Sequence, residues 1–318
     1  MEKSEYTKLP KTLDEQIDLL VSRGLQIPER DRTARHLSCV SYYRLSAYML
    51  PFKQWQEGVR TDDFVKDTNW NQIYNLYVFD RKLRLLIFDA IEKIEIAIRT
   101  QIIYQLSHKY GSHWQDKSEI FEVATYERKD GTIVTTDVYS DIQKHIKEQL
   151  KSNKAEVFIQ HYAHKYDKPE NPPSWMSVEI MYFNHLSQIC HNLKKRSDKV
   201  DMAKWFGLPP EVFCSWLHNI NYIRNICAHH ARLWNRDMNI VPSKLAFSKN
   251  KIWISNPDTV QRAKLYYFLC MVNYLLQTAN PNSSFKNRLL SLLEEYKDVL
   301  NTGFMGFPAN WQNEKIWM

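Results

Sequence analysis

The stretch WNQIYNLYVFDRKLRLLIFDAIEKIEIAIRTQIIYQLSHKY, residues 70–110, decides the fold of this chain. Its apolar side chains recur at the three- and four-residue steps that define one face of an α-helix. They are Ile73, Leu76, Leu83, Ile87, Ala90, Ile91, Ile94, Ile98 and Ile102. The pairs Asp80/Arg84 and Glu95/Arg99 stand four residues apart and support the helix, which Gly111 ends. Because apolar residues occupy more than one side, we predict that this helix lies at the centre of the protein.

The sequence on both sides of this helix predicts further helices. Thr12-Leu-Asp-Glu15 has the form of a capping box, and Gly24 ends the helix that the box begins. Two more helical segments, at 28–40 and 41–52, complete a small helical unit at residues 1–55. The remaining helices are predicted at 139–151, 155–165 and 174–193, from Pro210 towards Asn235, and at 257–279 and 282–301.

One segment predicts strands. ERKDGTIVTT, residues 127–136, has Asp130-Gly131 at its centre, which is typical of a β-hairpin turn. It lies within an irregular insertion at 112–170. The expected fold is therefore all-α, with a helical N-terminal unit at 1–55, a helical domain at 56–318 and at most one short β-hairpin.

The composition of the 318 residues excludes several classes of protein. The seven glycines stand alone and spell neither GxGxxG nor GxxxxGK[ST], which excludes the glycine-rich phosphate loops. Five widely spaced cysteines without CxxC favour a reducing compartment over a disulfide framework. We find no signal peptide and no apolar run that could span a membrane, so the expected location is the cytoplasm. The net charge of +7 permits an anionic partner.

The segment EVFCSWLHNINYIRNICAHHARLWNR, residues 211–236, carries the most informative polar pattern. At about 100° per residue, one face is apolar: Phe213, Trp216, Ile220, Ile223, Cys227, Ala231 and Trp234. The opposite face, here called the polar stripe, consists of His218, Asn221, Asn225, His229, Arg232 and Arg236. A solvated surface is the common interpretation of such a face. Solvated faces usually mix Lys with Glu, however, whereas the planar donors of the polar stripe suit phosphates and nucleotide edges.

A polar stripe of this kind is suited to cleaving RNA without a metal, because the 2′-hydroxyl of RNA is itself the nucleophile. Histidine titrates near neutrality and serves either proton step, while arginine donors hold the charge that develops on the phosphate. Two copies facing each other in a dimer would supply both an acid and a base.

No metal or cofactor is predicted, since His161 and His164 lack a Cys or acidic partner at metal-site spacing. Glu92 and Glu95 are three apart, but an ion pair between Glu95 and Arg99 is favoured over a proton pair.

The segment RNICAHHARLWNR, residues 224–236, resembles the signature of the bacterial abortive-infection Abi family of the AbiD/AbiF type. Five other blocks resemble the family along nearly the whole chain: LDEQIDLLVSRGLQIP (13–28), SYYRLSAYMLPF (41–52), LYVFDRKLRLLIFDAIEKIEIAIRTQI (76–102), PPSWMSVEIMYFNHLSQICHNL (172–193) and MGFPANW (305–311). The chain departs from the family at Phe183-Asn184, where Phe-Gly is expected. This departure concerns local helix packing.

The Abi family resembles a branch of the HEPN superfamily, whose ribonuclease motif is an arginine, a polar residue and, a few positions later, a histidine. Arg224, Asn225 and His229 fill that motif here. The resemblance implies a HEPN-like helical bundle that dimerises through the motif helix. It also implies an endoribonuclease toxin of antiviral defence that needs no metal. Some members are thought to pair with a structured non-coding RNA.

The resemblance further implies a role for each motif residue. His229 would be the general acid/base, Arg224 would clamp the phosphate, and Asn225 would orient His229. The additional RNA contacts that we predict are His218, Asn221, His230, Arg232, Arg236, Lys194, Lys195 and Arg196. On a regular helix Arg224 and His229 point about 140° apart. Either the helix ends or bends near Ala228, or two chains of a homodimer share the site, which we favour.

Two other classes of function stay open at this point. A non-catalytic RNA-binding protein would use the positive charge, the polar stripe and Lys194-Lys195-Arg196 as a footprint for a structured RNA. For His230, on the other flank of the helix, packing or an interface is the alternative to an RNA contact. An interaction module that senses a phage protein is the third class, and the sequence marks no surface for it.

Overall fold

The computed structural model describes residues 5–127 and 130–318 and, at Tyr126, only the backbone. Its helices are α1 (Leu13–Ser22), α2 (Arg30–Val40), α3 (Tyr42–Met49), α4 (Trp70–Tyr110), α5 (Val138–Lys151), α6 (Val157–Lys165), α7 (Ser174–Ser177), α8 (Phe183–Asn192), α9 (Arg196–Trp205), α10 (Pro210–Ala228), α11 (Leu265–Ala279) and α12 (Phe285–Glu295). Its strands are β1 (Lys53–Gln56), β2 (Val59–Phe64), β3 (Val123–Glu127) and β4 (Ile133–Asp137). The predicted helical class is confirmed. No helix within the described ranges has the length and apolar character needed to cross a bilayer.

The long helix α4 has the predicted bounds, and every apolar position named for its periodicity is buried. Gly111 follows it with a φ of +90°, a conformation that glycine adopts at little cost. The predicted pair Glu95/Arg99 forms an ion pair of 2.9 Å between Oε1 and Nη2. The regular three- and four-residue spacing was therefore sufficient to predict this helix, because tertiary packing and local pattern agree along its whole length.

The chain divides into two compact units. The first comprises Met1–Leu83 and Leu289–Asn301, and the second comprises Arg84–Arg288 and Thr302–Met318. Helix α4 contributes residues to both units. The first unit contains the whole segment 1–55 that we predicted as a helical N-terminal unit, together with residues that the sequence did not assign to it.

In the first unit the capping box of α1 is confirmed. The backbone N–H of Glu15 donates to Thr12 Oγ1 at 3.2 Å, and the N–H of Thr12 donates to Glu15 Oε2 at 2.7 Å.

The prediction of at most one hairpin is wrong, because β1 and β2 form a second one. Its two-residue turn places Glu57 at φ +51° and Gly58 at φ +77°. Strand β2 is mostly exposed and polar, so it lacks the apolar alternation by which strands are predicted.

The predicted hairpin in the insertion is confirmed as β3 and β4, which pair antiparallel with Thr125 opposite Thr135. Arg128 and Lys129 of its turn lie outside the described residues. The helix predicted at 174–193 is instead two helices, α7 and α8, because Tyr182 adopts an extended backbone and caps α8. Helix α9 was not predicted, since few of its side chains are buried and its apolar periodicity is weak. Helix α11 begins at Leu265 rather than at 257, after a short turn at Pro257.

The core of the second unit is rich in aromatic residues. Helix α11 is buried on nearly all sides, as expected of a helix that is apolar all round. Trp216 of α10 packs edge-on against Tyr274 of α11, with ring centroids 5.6 Å apart, and its ring lies tilted against that of Trp253 at 5.3 Å. Its indole N–H donates to the carbonyl of Ser243 at 2.9 Å. The face that we predicted to be apolar on α10 therefore anchors this helix in the core. The five cysteines are free thiols, of which Cys39 is exposed and the other four are buried.

One partly buried lysine predicts a dependence of stability on pH. The Lys251 ammonium donates to the carbonyl of Phe206 and to Thr278 Oγ1, and it lies 4.9 Å from the centre of the Tyr274 ring. Burial lowers the pKa of Lys251 from 10.5 to about 8. Between these pH values the unfolded chain binds more protons than the folded chain, so this group makes folding more favourable as pH rises.

We therefore expect Lys251→Met to remove part of this rise. The measurement is urea unfolding at pH about 7.5 and about 9.5. Between these two pH values the free energy of unfolding of the wild type should rise by about 1 to 2 kcal/mol more than that of the variant, allowing for solvent screening of the ammonium. An equal pH dependence in both proteins would contradict this assignment of Lys251.

Candidate functional site

The helix that carries the predicted motif ends before the motif does. Helix α10 stops at Ala228, and His229 is its C-cap, with the His229 backbone N–H donating to the carbonyl of Asn225 at 3.0 Å. His230 has φ +55°, and its N–H donates to the carbonyl of Cys227. The N–H of Ala231 donates to the carbonyl of Ile226 at 3.0 Å. These bonds form a Schellman motif, in which glycine usually occupies the left-handed position.

The expectation that this helix runs towards Asn235 is therefore wrong. A histidine takes the left-handed position that ends the helix, so no glycine marks this end in the sequence. The polar stripe holds only as far as the helix does. Arg232 and Arg236 lie beyond it, are half-buried, and are joined by a bond from Arg236 Nε to the carbonyl of Arg232 at 2.9 Å. His218, Asn225, His229 and His230 are exposed. Trp234, predicted on the apolar face, is buried even though it lies outside the helix.

Arg224 faces the long helix rather than open solvent. Its guanidinium carbon lies 5.7 Å from the centre of the Phe88 ring. Nη1 approaches Asn225 Oδ1 at 3.5 Å, and Nε is buried without a hydrogen-bond partner among the described residues. Arg224 lines a cavity of about 220 Å³ with Phe88, Glu92, Glu95 and Arg99 of α4. A buried donor without a partner is unusual. The guanidinium shares this cavity with the Glu92 and Glu95 carboxyls as well as with Arg99.

The acidic side of this cavity is held by ion pairing. The Arg99 guanidinium binds Glu95 and also donates to the carbonyls of Met181 and Glu179, each at 3.0 Å. Burial raises the pKa of the Glu95 carboxyl, although Arg99 and Arg224 act in the opposite direction. The interpretation of Glu95 as an ion-pair partner of Arg99 is confirmed. The sequence did not indicate that Arg224 would join this group, because nothing local links α4 to α10.

Within one chain, the described residues show no hydrogen bond or ring contact between Arg224 and His229. The end of the helix does not bring the two side chains together. His229 is the C-cap, with φ −86° and ψ 9°, so the structure shows the alternative in which the helix ends near Ala228. Between the side chains of Asn225 and His229, likewise, no hydrogen bond is found in the described part of the chain. The predicted orienting role of Asn225 stays a prediction.

Helix α8 packs against α10, and the sequence did not reveal this contact. Asn221 is buried, and its Nδ2 donates to Asn184 Oδ1 at 3.2 Å. Asn184 stands where the family resemblance led us to expect glycine, so this departure adds a bond between α8 and α10. Further along α8, the ring of His191 lies 5.9 Å from that of His218, edge-on. Partial desolvation of the two rings lowers the pKa of both imidazoles, and His218 lowers that of His191 further.

The predicted contacts at 194–196 lie at the other end of α10. Lys194 and Arg196 line a cavity of about 540 Å³ together with His191 and Lys199. Arg196 Nη2 forms a 2.8 Å ion pair with Glu211, in the first turn of α10. Lys195 instead lies 5.7 Å from the centre of the Tyr110 ring. The 19 residues of α10, at about 1.5 Å each, separate this end from His229 by about 28 Å. The structure therefore does not bring these residues to the motif.

The histidines at 161 and 164 are exposed on α6 and line neither the cavity beside Arg224 nor the cavity beside Lys194. In the ranges that the structure describes, no three His, Cys, Asp or Glu side chains come together as a set of metal ligands.

Comparison with known proteins identifies the family. No curated protein and no solved structure matches the chain. The model of the family described as "Abi-like protein" matches residues 35–235, which is more than half of the chain. This range runs from α2 to the segment after α10 and includes Arg224, Asn225 and His229; the resembling blocks at 13–28 and 305–311 fall outside it. The chain therefore belongs to the Abi-like protein family.

Proposed function

We propose that this protein is an endoribonuclease that cleaves RNA by transesterification without a metal and acts as a toxin in antiviral defence. Membership of the Abi-like family associates the chain with abortive infection. The observation that carries the nuclease proposal is the end of α10. His229 is exposed there as the helix C-cap, and Arg224, five residues earlier, has a buried Nε that forms no hydrogen bond among the described residues.

In the proposed reaction His229 removes the proton from the 2′-hydroxyl of RNA. The 2′-oxygen bonds to the adjacent phosphorus, the bond from phosphorus to the 5′-oxygen breaks, and an imidazolium protonates the leaving oxygen. The products are a 2′,3′-cyclic phosphate and a 5′-hydroxyl. The Arg224 guanidinium donates to the phosphoryl oxygens, whose negative charge grows in the transition state. Asn225, one helical turn before His229, holds the imidazole in the required orientation.

The proposed site is shared by two copies of the chain. Within one chain Arg224 faces α4, and His229, which follows the end of α10, makes no hydrogen bond or ring contact with it among the described residues, so we assign the two groups of one site to two copies. A two-fold axis beside the end of α10 would place His229 of one copy near Arg224 of the second. Each shared site then contains one His229, whose imidazole takes the proton of the 2′-hydroxyl and, as the imidazolium, gives it to the leaving oxygen.

The test is to incubate purified protein with RNA in the presence of excess EDTA. We expect cleavage to continue, because the nucleophile and the acid–base groups are supplied by the RNA and by the protein, and we expect the fragments to end in 2′,3′-cyclic phosphates. Mass spectrometry of the fragments identifies these ends. Loss of cleavage in EDTA with recovery on adding Mg²⁺, or fragments that carry 3′-hydroxyls, would contradict the mechanism.

The cavity beside Lys194 and Arg196 favours a second candidate function, that of a non-catalytic RNA-binding protein. Lys194, Arg196 and Lys199 line it with His191 and with two carboxylates, Glu122 and Glu211. Glu211 is paired with Arg196, which leaves Lys194 and Lys199, without an ion-pair partner among the described residues, as the cations for a phosphate. If one discrete structured RNA co-purifies with the protein, binds less tightly as salt rises and is never cut, this second function replaces the first.

A further inference from the structure

A second cleft, at the N-terminal end of α10, combines exposed aromatic rings with positive charge. It has a volume of about 670 Å³, within the range of pockets that hold small ligands. The end of α9, the segment 244–251 and α11 contribute its walls. Trp205 is 41% exposed and Phe247 is 66% exposed, although large aromatic side chains usually pack inside a protein.

The charges around this cleft all have one sign. Four lysines line it and, among the described residues that do so, there is no carboxylate: Lys204, Lys244, Lys249 and Lys251. Lys244 forms an ion pair with Asp258, outside the lining, and Lys251 is used by the protein itself. Lys204 and Lys249 are exposed and have no acidic partner in the described ranges. The cleft therefore presents free positive charge beside apolar rings.

We propose that this cleft binds one nucleotide of a single-stranded RNA, with the base against the exposed ring of Trp205 and the flanking phosphates on Lys204 and Lys249. An aromatic ring beside cations is the arrangement by which proteins hold unpaired bases, since every base has a face that can stack. A duplex would hide these faces, and an acidic peptide would make no use of the rings. This inference rests on the proposed activity towards RNA and adds a substrate-binding site to it.

The position of the cleft gives the inference a kinetic consequence. Val212, in the first turn of α10, lines the cleft, and His229 follows the last turn about 26 Å away. A nucleotide held in the cleft is consequently not the one that is cut. Losing its contacts should raise KM and leave kcat unchanged, whereas loss of His229 should lower kcat.

The experiment measures binding separately from cleavage. Full-length protein carrying His229→Ala is titrated into a fluorescein-labelled single-stranded RNA of about ten nucleotides, within the site sizes of single-strand binders, and anisotropy is recorded. We expect Trp205→Ala, in this background, to raise Kd by about 5- to 100-fold. Lys249→Ala, at an exposed position that cannot disturb the core, should raise Kd several-fold and reduce the dependence of binding on salt.

Trp175→Ala is the matched control, because Trp175 is 52% exposed in the same unit but does not line the cleft. Its Kd should equal that of the parent. Equal affinity in the Trp205, Lys249 and Trp175 variants would overturn the cleft assignment while leaving the proposed nuclease intact. If the parent protein binds no RNA, the assignment of the cleft as an RNA-binding site is overturned as well. Binding lost with Trp205→Ala, in a protein whose wild type never cuts RNA, would support the cleft and refute the nuclease.

Discussion

Replacing His229 with alanine should lower the rate of RNA cleavage by about 10²- to 10⁴-fold, the contribution usual for a positioned acid–base group. His229 is exposed at the C-cap of α10, so the substitution removes an imidazole without opening a cavity in the core. The stability of the protein should change little. The measurement is the initial rate with excess EDTA, accompanied by a thermal unfolding curve for each protein.

His161→Ala provides the matched control for this prediction. His161 is also an exposed histidine, on α6 of the same unit, and it is remote in sequence from the motif. Its loss should leave the rate at the wild-type value. If His229→Ala cuts RNA as fast as wild type, His229 is not the acid–base group and the proposed chemistry fails. If both variants lose activity equally, the effect is not specific to His229.

Arg224→Ala should lower kcat by about 10²- to 10³-fold, because a donor aimed at the developing charge is removed. The more decisive result comes from combining the two inactive chains. When Arg224→Ala and His229→Ala chains are co-expressed with different tags and purified through both, each mixed dimer should hold one intact site and one that lacks both groups. Its activity should therefore return to about half of wild type.

Dimers purified through both tags that carry the same substitution in each chain serve as the control and should stay inactive. If the mixed dimer is as inactive as its parents, Arg224 and His229 do not act across two copies. If the two tags never purify together, the chain does not form the proposed dimer.

The elements that were predicted correctly are those in which local pattern and tertiary burial agree. Helix α4 has strict apolar spacing and was predicted at about its observed bounds, and the capping box of α1 could be predicted because both of its bonds are local. The hairpin β1–β2 and helix α9 were not predicted, since their side chains are largely exposed and polar. In such segments the tertiary context, rather than the local pattern, decides the conformation.

The candidate site could be predicted only in part. The residue types and spacing of Arg224, Asn225 and His229 are visible in the sequence, but the neighbours that surround them come from other helices. Glu95 of α4 and Asn184 of α8 are brought near α10 by contacts across many residues, which no local spacing encodes. The end of α10 was missed because a histidine, rather than a glycine, adopts the left-handed conformation at position 230.

The distribution of the thiols makes the chain convenient for spectroscopy. Since Cys39 alone among the five cysteines reaches the surface, a maleimide spin label added to the native protein should attach at one position on α2. In a symmetric assembly the two labels would then report one interprobe separation by pulsed electron resonance. That separation could be followed as RNA is added, with no engineered cysteine in the protein.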